Sequence, residues 1–212
     1  MGKRPVETTL YSLSDQPPSP QGDRRGDDRH LTLFRVGALI VDDRRELCLI
    51  KNISAGGLRL RRYCELRAGQ RIAVELKSGQ AIAGRVNWVE DSQAGIAFDQ
   101  TIDVLAILAT DDEGPKPRMP RIETSAAVYV REGARTWRLA CCDVSQGGLK
   151  LVAGGALTIA AEVVVTLPGL PPQPGVVRWI ADAYAGIAFN RPLSLAELVT
   201  WLQAQRDTSQ AA

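Results

Sequence analysis

The chain has 212 residues, enough for two modest domains that each bury a core without staples. Apolar residues make up 45% and charged residues 24%, the balance of an ordinary soluble globular protein. The net charge of +2 is too weak to imply nucleic-acid binding by the whole molecule, and no apolar run approaches the roughly 18 residues of a spanning helix.

In chain order, residues 1–22 carry Pro17, Pro18 and Pro20 among Ser, Asp and Gln, the composition of a flexible leader. Met1–Leu10 lacks the apolar core of a signal peptide, so a cytoplasmic location is expected. From Arg24 to Arg62 ten basic residues stand against five acids, a local excess that the net charge hides. Short stretches of period two follow. Leu47–Ile50, Leu58–Leu60, Arg71–Leu76 and Ala83–Trp88 are β-rich and separated by Gly or polar turns. Asp42, Asp43, Arg44, Arg45 and Glu46 have the composition of a solvated hairpin tip. Thr101–Leu108 offers a short helix. The acids, glycine and prolines of Thr110–Pro120 cannot join a packed sheet and mark a linker, placed at 111–117. Beyond it the strand pattern returns at Arg138–Cys142, Leu149–Leu151, Glu162–Leu167 and Val176–Trp179. Ser194 and Glu197 then form a capping box ahead of Leu195, Leu198, Val199 and Leu202, spaced for one helix face. Residues 207–212 are left as a tail.

The second half repeats the first. Asn52-Ile-Ser-Ala-Gly-Gly-Leu-Arg-Leu60 aligns with Asp143-Val-Ser-Gln-Gly-Gly-Leu-Lys-Leu151 at five identities in nine. Val86–Phe98 aligns with Val177–Phe189 at eight in thirteen, and both blocks keep an offset of 91 residues. Two matching blocks at one fixed distance indicate a duplication. Short strands at this spacing suggest a small antiparallel barrel in each copy.

The chemistry-bearing residues are Arg24, Arg25 and Arg29 in a polar stretch, then Asn52, Ser54 and Gly57 between two strands, 23 residues beyond Arg29. An RxxxR pair followed at that distance by [D/N]xSxxG resembles the signature of the PilZ domain family. The resemblance covers about 80 residues of each copy, including the Trp before the last strand and the Gly-Ile-Ala-Phe strand. It implies a mainly β fold of two tandem six-stranded antiparallel barrels, each followed by a short helix, over residues 23–110 and 118–206. It also implies cyclic di-GMP as ligand, with Arg25 and Arg29 clamping guanine and phosphate and Asn52, Ser54 and Gly57 forming the floor.

Those residue types suit that task. Arginine's planar fork matches phosphate oxygens and the O6/N7 edge of guanine bidentately. Two arginines four apart on an extended segment reach about 13 Å, using roughly 3.3 Å per residue. Asn52 brings an amide for a polar base edge, Ser54 a hydroxyl, and Gly57 room for close approach. Each has a plainer alternative. The Arg24–Arg29 run could be a solvated mixed-charge linker, and Asn, Ser and Gly are turn residues in any case. Arg59, Arg61 and Arg62 either widen the positive field or line a solvated strand face.

In the second copy Asp143, Ser145 and Gly148 keep the motif, but Arg118 and Arg121 are spaced by three and flanked by prolines. That copy is expected to be a degenerate partner. Trp88 and Trp179 occupy identical places although only one copy has a full arginine arm, so core packing is expected for both. His30 has no partner for catalysis, and the four cysteines lack metal or disulfide spacing; they are expected to be buried and reduced. No enzyme, metal or cofactor is expected. The expected function is a non-enzymatic cyclic di-GMP effector that changes its domain arrangement or its contact with a protein partner, in motility, polysaccharide or related regulation. A ligand-independent adaptor is the alternative. No DNA or RNA partner is expected, and a homodimer is allowed.

Overall fold

The structure, a computed structural model, describes residues 31–77, 80–108 and 119–210. The leader, Arg24, Arg25, Arg29, His30, the 111–117 linker and Arg118 lie outside the described residues. The first barrel comprises β1 (Leu31–Val41), β2 (Arg44–Ser54), β3 (Gly57–Arg62), β4 (Arg71–Lys77), β5 (Gln80–Glu90) and β6 (Gln93–Phe98), followed by α1 (Val104–Leu108). All neighbours are antiparallel and the ring closes in the order β1-β2-β3-β6-β5-β4. Its core is made by Leu39, Ile50, Ile53, Leu60, Val74, Val86 and Ile96. Asp42 and Asp43 both adopt positive φ, the geometry a two-residue hairpin turn demands.

The second barrel comprises β7 (Ile122–Glu123), β8 (Ala127–Glu132), β9 (Arg135–Ser145), β10 (Gly148–Val152), β11 (Glu162–Thr166), β12 (Gln173–Ala181) and β13 (Tyr184–Phe189), followed by α2 (Leu195–Gln210). Strands β8 to β13 close a six-stranded ring through the β9–β10 pairing, and β7 extends the β9 edge. β7 and β8 together stand where β1 stands in the first barrel. The offset of 91 places their interruption at the irregularity in β1 between Thr32 and Arg35. The expected capping box is present, with Ser194 Oγ and Glu197 Oε2 at 2.6 Å and Glu197 N donating to Ser194 Oγ at 3.2 Å.

β1 carries no period-two signal because both of its faces are covered, whereas β8 alternates, with Val128 and Val130 buried and Tyr129 and Arg131 exposed. Val36, on β1, packs against the core of the second barrel, as do Leu47 and Tyr63. Arg206 on α2 donates to the Glu46 carboxylate at 2.7 Å, and Gln203 Nε2 donates to the Tyr63 carbonyl at 2.9 Å. The charged hairpin tip is therefore solvated only at Asp42, Asp43 and Arg44; Glu46 is buried, and Arg45 pairs with Glu75. Removing Arg206 strands a buried carboxylate. Arg206→Ala is expected to cost about 1 to 2 kcal/mol in a urea titration, at the low end because Arg206 keeps part of its hydration, while Glu46→Gln costs less.

All four cysteines are free thiols. Desolvation pushes the Cys141 thiol up to about 12 and the Cys64 thiol up to about 11, and raises fully buried Cys48 further. Cys48, Cys64 and Cys141 are therefore protonated at neutral pH; Cys48 and Cys141 are buried packing groups, while Cys64 and Cys142 are only half-buried, less than the sequence suggested. Among the described residues no helix is long and apolar enough to cross a membrane.

Candidate functional site

Strict alternation would send Ile50 and Asn52 to one face, and Val86 and Trp88 likewise. Two bulges prevent this. The pairing of β2 slips between Ile50 and Asn52, and that of β5 between Val86 and Trp88. Ile50 and Val86 thus remain in the core, while Asn52 and Trp88 turn to the outer face of the barrel. The ladders bring Asn52, Arg59, Gly95 and Trp88 into one row across β2, β3, β6 and β5.

This row borders a cavity of about 380 Å³ lined also by Ser54, Gly57 and Asn87. Among the described residues no acid lines it, and Arg59 supplies the charge. Arg59 is held by Gln93, its Nε donating to Oε1 at 2.9 Å, with its guanidinium 5.9 Å from the Trp88 ring centroid. Among the described residues the Asn52 amide has no hydrogen-bond partner, and Asn52 lines the cavity. The floor suits an anionic, planar, hydrogen-bonding guest.

Ser54 and Gly57 reach the same cavity, but each also has work in the fold. Ser54 is buried and its Oγ donates to the Gly57 carbonyl at 3.3 Å, closing the β2–β3 turn. A Cβ at Gly57 would overlap the Ile96 carbonyl oxygen, so glycine is required for β3 to approach β6. Both features recur in the second copy, where Ser145 Oγ donates to Gly148 O at 3.1 Å. Ser54 and Gly57 thus serve the turn in the first copy as Ser145 and Gly148 do in the second, and among the described residues Asn52 is the motif side chain with no such bond.

The tryptophans are not core residues, contrary to the expectation from their repeated positions. Trp88 lies half-buried across the outer surface of Gly95, where any Cβ would overlap the indole, and Trp179 lies across Gly186 in the same way. Sequence reasoning left Arg59 between a ligand-side cation and a solvated strand face, and missed Trp88 and Asn87 as cavity residues; the Gly95 and Trp88 pair, repeated at an offset of 91, was the signal available. Arg61 lies 5.8 Å from the Tyr63 ring centroid, and Arg62 donates to the carbonyls of Cys64 and Asp91.

The second barrel has the same bulges and row, now Asp143, Lys150, Gly186 and Trp179. Its acid is engaged from within. Arg121 Nη1 donates to Asp143 Oδ1 at 3.0 Å, and the Met119 sulfur lies against Gly147, with 3.5 Å between it and a Cβ placed there. Arg121, the second arginine of the degenerate arm, is thus tied to the floor of its own barrel.

A closed six-stranded antiparallel barrel with bulge-aimed polar and aromatic groups on its outer wall defines the module, and it is present here in two copies. The chain belongs to the PilZ domain family, whose profile matches residues 23–109 and 115–204. No curated protein gives a significant match. Solved structures similar to the chain include Borreliella burgdorferi PlzA in complex with c-di-GMP, at 11% identity and TM-score 0.36 over 79% of this chain and 86% of that one. Bacillus subtilis MotI/DgrA, an inhibitor of motility, matches at 12% and TM-score 0.34, covering 85% and 99%. Escherichia coli YcgR in complex with c-di-GMP matches at 15% and TM-score 0.32, covering 84% and 88%. Scores of this size carry no argument about domain arrangement.

Proposed function

We propose that this protein is a non-enzymatic cyclic di-GMP receptor whose ligand rests on the outer wall of the first barrel. Asn52, Arg59 and Trp88 face the ligand, Ser54 and Gly57 shape the turn beneath it, and Arg24, Arg25 and Arg29 close over it. The observation that carries this reading is the cavity at the motif of the first copy, lined by no acid among the described residues, with an amide, a cation and an indole in one row. Family membership and the c-di-GMP complexes of PlzA and YcgR support the choice of ligand. The arm precedes β1, and Val36 of β1 packs on the second barrel, so a ligand that orders the arm can bias the placement of the two barrels and thereby a protein contact. The second barrel fits the adaptor reading better, because its motif acid is already paired.

Isothermal titration with cyclic di-GMP, cyclic di-AMP and GTP tests this. Selective micromolar or tighter binding of the first is expected, with all heat lost in Asn52→Ala plus Arg59→Ala and retained in Asp143→Ala. Indifference to cyclic di-GMP at near-millimolar levels in nucleotide-free protein overturns the receptor reading.

A further inference from the structure

The duplication supplies an internal control on what the fold requires of each surface position. On the first barrel a second outer row runs Leu49, Arg61, Gln93, Glu90 across β2, β3, β6 and β5. Its counterpart on the second barrel, at an offset of 91, runs Ala140, Val152, Tyr184, Ala181 across β9, β10, β13 and β12. Three of the four places, charged or polar in the first barrel, hold Val, Tyr and Ala in the second on an equivalent backbone, with the Lys150 ammonium 4.2 Å from the Tyr184 ring centroid beside them. The row has not become buried: Val152 is 39% and Tyr184 40% exposed, and adjoining Trp179 is 36% exposed. The barrel does not need these apolar groups, since its twin folds with Arg and Gln in the central places. An exposed contiguous apolar row that the fold does not require marks an interaction surface.

The charges around the row say what it meets. Arg138 on β9 lies at one side, level with the β12–β13 turn, where Asp182 is exposed; Ala153 N and Gly154 N both bond to the Ala183 carbonyl at that level. Among the described residues neither Arg138 nor Asp182 forms an ion pair. A two-fold axis lying along the strands between β10 and β13 sets β9 of one barrel over β12 of another without shifting levels. Arg138 of each copy then faces Asp182 of the other, twice, with Val152 and Tyr184 in the centre. The surface is self-complementary, as an isologous interface must be. We propose that this row is a docking surface for a second copy of the same chain, formed face to face by the second barrels. This stands independently of the ligand reading, because it uses no residue of the first barrel's cavity.

Sedimentation velocity on the full chain, from about 1 µM to about 200 µM, is the test. A reversible monomer–dimer equilibrium is expected. Val152→Arg with Tyr184→Gln, which install the first barrel's own residues on a wall that tolerates them, should raise the dissociation constant at least about tenfold. Arg138→Asp alone should weaken the dimer, and Arg138→Asp with Asp182→Arg should restore it. A single-chain mass throughout the range, or a dimer untouched by the Val152 and Tyr184 changes, overturns the proposal. Failure of the charge swap to restore association overturns the axis. An acidic heterologous partner that binds this row while the chain stays monomeric would also replace it.

Discussion

A chain carrying both Arg25→Ala and Arg29→Ala is expected to give no measurable heat on titration with cyclic di-GMP. Each guanidinium would make bidentate, charge-assisted hydrogen bonds to a phosphate or guanine edge, and losing such a contact costs about 1.5 to 3 kcal/mol. One substitution should therefore weaken binding by about 10- to 100-fold, and the pair by about a thousandfold or more. Neither residue lies in a described strand, so the melting midpoint should stay where it is. Arg121→Ala provides the contrast. Its guanidinium is spent on Asp143, so ligand affinity should be unchanged. Binding that survives the double substitution would remove the arm from the site and leave only the barrel wall.

The second large effect concerns Gly95. Any side chain there overlaps the Trp88 indole, and Gly95 is fixed on both sides by its ladder partners Arg59 and Trp88. The backbone cannot yield, so the indole must leave. Gly95→Ala is expected to cost about 1 to 3 kcal/mol through overpacking and to strip one wall from the cavity. The fall in melting midpoint is about 2 to 4 °C per kcal/mol for a chain of this size. Gly186→Ala repeats the same clash against Trp179 in the second barrel. It should cost similar stability yet leave cyclic di-GMP affinity intact. Calorimetry on the two variants separates the cavity role of Trp88 from its packing role, because packing is lost in both and the ligand wall in one. Equal loss of affinity in both would refute the placement of the site on the first barrel alone.

The duplication, the short alternating strands and the order of the motifs are all local or periodic properties, which is why they are legible in the residues. The helix cap at Ser194 and Glu197 is legible for the same reason: two residues three apart hold all the donors and acceptors involved. β1 is not. Its apolar run loses alternation because one face meets the barrel core and the other meets a second domain, a contact between segments far apart in sequence.

By itself, then, the sequence determined two copies of one β-rich module, the family they belong to, and an intact arginine arm in only the first. The tertiary structure alone decided which way the side chains point. Bulges at Lys51 and Asn87 depend on pairing with strands elsewhere in the chain, and they turn Asn52 and Trp88 outward where alternation would place them with Ile50 and Val86. Closure of the barrel likewise set Arg121 on Asp143 and left Val152 beside Tyr184 on an open wall. Side-chain direction in a sheet follows register, register is set by non-local ladders, and one slipped residue exchanges core for surface.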